Sequence, residues 1–256
     1  MPATIPLNYL ILEELKKMDS SKEPIFVFDI DDTLYCQSNG MSVVIKQKIH
    51  EYAKLKNISD GEITNLCEHY SREYGLAIKG FCKHHEGVDP EEFNQLVDGS
   101  IDLEEYIKVD KDLSALLLQI PYKKFCFTNA SIIHADKVLN ALGIRDFFDA
   151  IFHCEYKSNG EFISKPDDES FLFIEKYCNQ KPQNIFFFDD NERNIKAAVK
   201  RGWNAFLINK EKNIKLAIKE SINIIQSSAF TMTEFVSKKS VGCGMTEEVG
   251  RNDKTV

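Results

Sequence analysis

Short, largely apolar runs recur along this chain, at Ile25–Phe28, Lys124–Thr128, Ala150–His153, Asn184–Phe188 and Ala205–Ile208. A strand with one wet face alternates apolar and polar residues, whereas a strand covered on both faces is apolar throughout. These runs therefore predict strands buried on both sides. Helical patterns separate them. After Asn129, residues Ile132, Ala135, Val138, Leu139 and Leu142 repeat at helical spacing, with Gly143 as the stop. After Pro166, the acidic Asp167-Asp168-Glu169 suits a first turn, and Phe171, Ile174 and Cys178 share a face. Asn191 is a candidate N-cap and Gly202 a candidate end for a further helix. Strands alternating with helices predict an α/β fold built on a doubly wound parallel sheet.

One segment breaks the rhythm. Residues 37–119 read as helices over Val43–Lys56, Ser59–Tyr74, Pro90–Asp98, Leu103–Ile107 and Leu113–Leu118. Lying between the first strand and the second, they predict a helical cap inserted into a core formed by 23–36 and 120–226. Residues 1–22 alternate Leu and Ile with Glu and Lys, which predicts an N-terminal amphipathic helix. Apolar periodicity fades beyond 227, so 227–256 is expected to be a flexible tail, Gly242-Cys243-Gly244 included.

Composition excludes several classes. No apolar run approaches the roughly 20 residues that span a bilayer, so no membrane partner is expected. The seven cysteines are odd in number and include no Cys-x-x-Cys pair, which predicts reduced thiols and a cytoplasmic or nuclear setting. Net charge is −8, and residues 37–119 hold 15 acidic against 9 basic side chains. No basic stripe is present to hold a nucleic-acid polymer. An anionic substrate must be held by local cations.

Four signals carry chemistry. In Phe28-Asp29-Ile30-Asp31-Asp32-Thr33, two carboxylates at i and i+2 project to one side where a strand opens into a loop. Such carboxylates repel unless a cation or proton separates them, and a hard divalent ion such as Mg2+ suits oxygen ligands. An acidic turn after a core strand is the alternative for this segment alone. Thr128-Asn129 ends a second strand in groups that can hold phosphate oxygens, or that simply cap a helix. Lys165-Pro166 places an ammonium before a helix, as many surface turns do. Asp189-Asp190 repeats the opening theme, with Asn194 following. Ligands of open α/β sheets gather at the carboxyl ends of the strands, and there Asp29, Asp31, Thr128 and Asp190 fall together, with Lys165 on a neighbouring loop. A carboxylate cluster, a hydroxyl and a cation suit phosphoryl transfer.

The ordered set Asp29-Ile30-Asp31-Asp32-Thr33, Thr128-Asn129, Lys165-Pro166 and Asp189-Asp190 resembles the haloacid dehalogenase superfamily, over about residues 24 to 210. Within it, Glu73 to Gly80, Leu96 to Ser100 and the run from Phe188 to Asn194 resemble the fungal pyrimidine 5′-nucleotidases. The resemblance implies a Mg2+-dependent phosphatase. Asp29 would be the nucleophile and Asp31 the general acid and base, its pKa raised by neighbouring carboxylates. Mg2+ would be held by Asp29, the backbone carbonyl of Asp31, and Asp190. Asp189 and Asn194 would stand behind them, and Thr33 would anchor the loop. Thr128, Asn129 and Lys165 would hold the phosphoryl oxygens. The second acid separates a phosphatase from a dehalogenase, whose leaving halide needs no proton.

The expected substrate is a small phosphomonoester, a pyrimidine nucleoside monophosphate such as UMP or CMP. A sugar phosphate or a lysophosphatidate is the alternative, and a non-catalytic nucleotide-binding regulator is the alternative of another class. Substrate choice is assigned to the cap. There Tyr70, Tyr74 and Phe81 are candidates for stacking on a base, and Lys79, His84 or His85 for meeting sugar or phosphate. The alternative is that the aromatics are cap core and the histidines exposed loop.

Overall fold

The computed structural model describes residues 1–15 and 23–241, the stretch 228–241 as backbone. Six strands form one parallel sheet: β1 (Ala3–Leu7), β2 (Ile25–Phe28), β3 (Lys123–Phe127), β4 (Ala150–Cys154), β5 (Ile185–Asp189) and β6 (Asn204–Leu207). Their order is β1-β4-β3-β2-β5-β6, which is the doubly wound α/β fold predicted from the apolar runs. β2 is central, with Phe28 opposite Cys126 of β3 and Phe188 of β5.

The side-chain period of two sorts the aromatics onto two faces. On one, Phe26, Phe28, Phe186, Phe188 and Phe206 stack at centroid separations of 4.8–6.4 Å. On the other, Phe187 meets Phe127, Phe171 and Trp203. Each such ring contributes roughly 1.5–3 kcal/mol on burial.

The N-terminus differs from expectation. In place of one helix over 1–22, Ala3–Leu7 forms an edge strand beside β4, and α1 is confined to Tyr9–Glu14 behind the N-cap Asn8. Pro6 explains the change, because proline breaks a helix interior but is tolerated in an edge strand. Residues 16–22 lie outside the described residues.

Between β2 and β3 run α2 (Met41–Leu55), α3 (Asp60–Tyr74), α4 (Ala77–His84), α5 (Pro90–Phe93) with a π-helical turn over Asn94–Asp98, and α6 (Lys111–Gln119). The helix α4 escaped sequence reading because Gly75 and Gly80 flank and interrupt its short apolar run. Gly75 has φ +80°, and a Cβ there would come within 2.5 Å of Lys165 O. This segment thus approaches the Lys165 loop more closely than any other residue would permit.

The remaining helices are α7 (Ile132–Ala141), α8 (Asp168–Tyr177), α9 (Glu192–Lys200) and α10 (Ile214–Val241). Asn191 caps α9 through Arg193 N, as its sequence position predicts. The expected flexible tail is corrected in part: α10 runs to Val241, with no Gly or Pro within it. Residues 242–256, with Gly242-Cys243-Gly244, lie outside the described residues. Residues 1–217 form one compact unit, and a second begins at Ile218.

Candidate active site

The carboxyl ends of β2, β3 and β5 are neighbours, so the motif residues meet although up to 161 positions separate them. Asp29 N bonds to Phe188 O at 2.9 Å, which carries the β2–β5 pairing one residue past the strand. The chain then turns sharply, with Asp32 in the left-handed region at φ +55°. Thr33 donates its hydroxyl to Asp29 Oδ2 at 3.1 Å.

Lys165 is the hub. Its ammonium donates to Asp29 Oδ1 at 2.7 Å, Asp189 Oδ2 at 2.7 Å and Phe127 O at 2.6 Å, and lies 5.0 Å above the Phe127 ring. All three N–H groups are therefore engaged. In this structure Lys165 pairs the carboxylates, and a phosphoryl group must displace one partner to reach it. Burial alone would depress the ammonium's pKa, but Asp189 and Asp29 hold it above its ordinary range.

The sequence assigns Asn129 to phosphate. The structure assigns its side chain otherwise. Asn129 Nδ2 donates to Lys165 O at 2.8 Å while Lys165 N donates to Asn129 Oδ1 at 2.7 Å, so this amide orients the lysine loop. Thr128 is buried and its Oγ accepts from Ala130 N at 3.0 Å, which leaves the hydroxyl proton for a ligand.

Asp29, Asp189 and Asp190 offer oxygens that all lie within 4.8 Å of one another. Asp189 is spent: Asn191 N, Asn194 Nδ2 and Lys165 Nζ all donate to it. That places Asp189 and Asn194 behind Asp29 and Asp190. The Asp31 side chain is not part of the cluster. Burial pushes the Asp29 carboxyl well up, and Asp189 and Asp190 push it further against the pull of Lys165. A hard divalent cation offsets this excess of negative charge, so the donor set fits one.

Asp31 differs from expectation. Burial would raise its pKa, but the charge and hydrogen bond of His134 and the hydroxyl of Tyr35 hold it below the usual carboxylate value. His134 Nε2 and Tyr35 Oη both lie 2.7 Å from Asp31 Oδ1. The imidazole is pushed up to about 9: burial works against this, and Asp31 and Asp98 outweigh it. Asp32 is pushed up to about 6 by burial and by Asp31.

Asp29, Asp31, Asp32, Thr128, His134, Lys165 and Asp190 line a cavity of about 280 Å³ whose far wall comes from the helical insert, through Ile45, Ile49, Leu76, Ile78, Phe93 and Val97. Tyr74, Lys79 and His84 are not among the lining residues. Tyr74 and His84 bond each other at 2.8 Å, and Lys79 is buried on Asp167 at 2.6 Å and Ser164 at 3.1 Å. Tyr70 and His85 likewise pair at 2.9 Å. Phe93 and Tyr156 supply the aromatic lining instead, with ring centroids 6.2 Å apart. A larger cavity of about 540 Å³ opens around Ile25, Lys123 and Asp149, at the opposite end of the strands from the carboxylates.

Sequence reading missed His134, Tyr35, Asp98 and Tyr156. For His134 a signal existed: it precedes Val138 by four residues and so lies on the apolar face of α7. Tyr35 bonds Asp31 only four residues before it, whereas Asp98 and Tyr156 acquire meaning only from Ser131 and Asn129, far along the chain.

Comparison with known proteins shows the family and the fold. Residues 24–202 match the family described as haloacid dehalogenase-like hydrolase. The chain is 35% identical over 189 residues to phosphate metabolism protein 8 of Saccharomyces cerevisiae, covering 70% of this chain and 59% of that protein. It thus spans less than two thirds of that relative. The fold is shared with a Bacillus subtilis hydrolase, YfnB, solved bound to magnesium, at 17% identity and a TM-score of 0.50 over 76% of this chain and 92% of that one. An Agrobacterium tumefaciens protein of unknown function shares it at 16% identity and a TM-score of 0.50, over 81% of this chain and 99% of that one.

Proposed function

Because the chain belongs to the haloacid dehalogenase-like hydrolases, we propose that it is a Mg2+-dependent phosphomonoesterase acting on pyrimidine nucleoside 5′-monophosphates. The observation that carries this reading is the Asp29, Asp189 and Asp190 cluster closed by Lys165, with a second acid, Asp31, beside it.

Asp29 Oδ attacks phosphorus, the bond to the ester oxygen breaks, and that oxygen takes a proton from Asp31, which the negative charge of the bound phosphoryl group shifts to its protonated form against the pull of His134. Water then attacks the aspartyl-phosphate, giving its proton to Asp31 and releasing phosphate and free Asp29. Asp29, Asp190 and the Asp31 carbonyl would hold Mg2+, which would supply the positive charge that phosphoryl transfer demands. Thr128 orients a phosphoryl oxygen through its hydroxyl. Lys165 keeps Asp29 charged and placed, and Asn129 keeps Lys165 in position.

Lys165 and His134 are the basic side chains among the described lining residues, and neither lies on the insert wall. This favours a substrate with one phosphoryl group and a leaving group that carries no second anion. Phe93 and Tyr156 offer rings against which a base can rest. The apolar wall at Ile45, Ile49 and Leu76 supports a second reading, a phosphomonoester with an acyl tail such as a lysophosphatidate.

A phosphate-release panel of UMP, CMP, purine monophosphates, sugar phosphates and lysophosphatidate, with and without Mg2+, tests both. Preference for UMP and CMP supports the first reading, and preference for lysophosphatidate the second. Release that survives Asp29→Asn overturns the covalent route for either.

A further inference from the structure

A buried histidine beside the site has no part in the steps above. His134 is 3% exposed, lies in the first turn of α7, and approaches Asp31 Oδ1 at 2.7 Å through Nε2. Tyr35 donates to the same oxygen. Two donors on one oxygen fix the plane of the carboxylate and leave Oδ2 for the leaving group.

His134 is itself braced from the insert. Ser131, the N-cap of α7, bonds Asp98 Oδ2 at 2.7 Å, and Lys137 Nζ donates to Gly99 O at 2.5 Å. These ties lie three residues to either side of His134. They dock the first turns of α7 on the π-helical turn that carries Asp98. Asp98 is 8% exposed, and its charge acts on the imidazole. His134 Nδ1 is buried without a hydrogen-bond partner among the described residues. The ring is thus enclosed between a carboxylate of the insert and a carboxylate of the core.

Resting on the phosphatase reading of this site, we infer that His134 is a positioning residue for Asp31, seated by Asp98 of the insert, and aims Asp31 Oδ2 at the leaving oxygen. The insert then acts on the acid step as well as on the cavity wall. A histidine with only a structural role slows all substrates alike. One that positions the acid slows those whose leaving oxygen needs a proton and spares those that leave as a stable phenolate.

The test compares UMP with 4-nitrophenyl phosphate in His134→Met, which keeps volume without the donor, and His134→Gln, which restores an N–H near Nε2. His134→Met should lower kcat for UMP roughly 30-fold with KM nearly unchanged, within the usual worth of general acid catalysis. Turnover of 4-nitrophenyl phosphate should fall less than about threefold, and His134→Gln should recover most of the loss on UMP. Equal losses on both substrates, or none on UMP, overturn the inference.

Proton NMR provides a readout independent of turnover. Wild-type protein should show a slowly exchanging imidazole N–H resonance that His134→Met removes and Asp31→Ala shifts. Its absence, or indifference to Asp31→Ala, overturns the geometry. If wild-type protein hydrolyses neither of these nor lysophosphatidate, the phosphatase reading fails separately, and this resonance decides whether His134 holds Asp31.

Discussion

Lys165 Nζ lies 2.7 Å from Asp29 Oδ1, joining the loop that precedes α8 to the first residue beyond the central strand. Both partners are buried, and Asp189 completes a triad in which one ammonium serves two carboxylates. Removing one member of such a group leaves the others charged in a poorly solvating interior.

Lys165→Met should therefore destabilise the metal-free protein by about 3 kcal/mol or more. Urea denaturation of the two proteins in chelator measures it. A loss below about 1 kcal/mol would mean that the triad relaxes into water rather than holding the site closed.

Mg2+ should raise the melting temperature of the wild type and leave Asp190→Asn almost unmoved. At a hundredfold excess over Kd, binding to the folded state stabilises by about 2.7 kcal/mol. Differential scanning calorimetry across a Mg2+ series reads the effect. An undiminished shift in Asp190→Asn would remove Asp190 from the site.

The pairing of His134 with Asp31 should appear as a pH dependence of stability. The folded imidazole is pushed up to about 9, above its unfolded value near 6.5, so its stabilisation is complete below about pH 6.5 and fades as pH rises through 9. The full effect is of order 3 kcal/mol for so buried a ring. In chelated protein, the stability gap between wild type and His134→Gln should narrow between about pH 6 and pH 10. A constant gap would show that the ring is not held as a cation.

Two glycine substitutions should have opposite signs. A Cβ at Gly80 would overlap the ring of Tyr70, so Gly80→Ala should cost roughly 1–3 kcal/mol by overpacking α4 against α3. At Gly61 nothing lies within 4 Å, and Gly61→Ala should stabilise α3 by roughly 0.5–1 kcal/mol. Thermal unfolding of both checks the pair. Equal effects would show that α3 and α4 do not approach as closely as Gly80 permits.

Local sequence was enough to determine the sheet and the place of the chemistry. Apolar runs such as Ile25–Phe28 and Ile185–Asp189 mark strands buried on both faces. The polar residue that follows each run must lie at the strand's carboxyl end, so Asp29, Thr128 and Asp190 were legible as one site. Proline at position 6 was equally legible as a helix breaker, yet edge strand β1 took shape only through its partner β4.

Tertiary structure alone decided how the site divides its labour. Asn129 orients Lys165 because its amide meets a backbone 36 residues away. Tyr74, Lys79 and His84 turn to one another, to Asp167 and to Ser164, because polar groups leaving water take the nearest partner. Asp31, expected to hold its proton unusually tightly, holds it less tightly because His134 arrives from 103 residues away. Strand and helix patterns repeat over a few residues and can be read along the chain. A side chain's charge state depends on what packs against it, and only the folded chain brings those neighbours together.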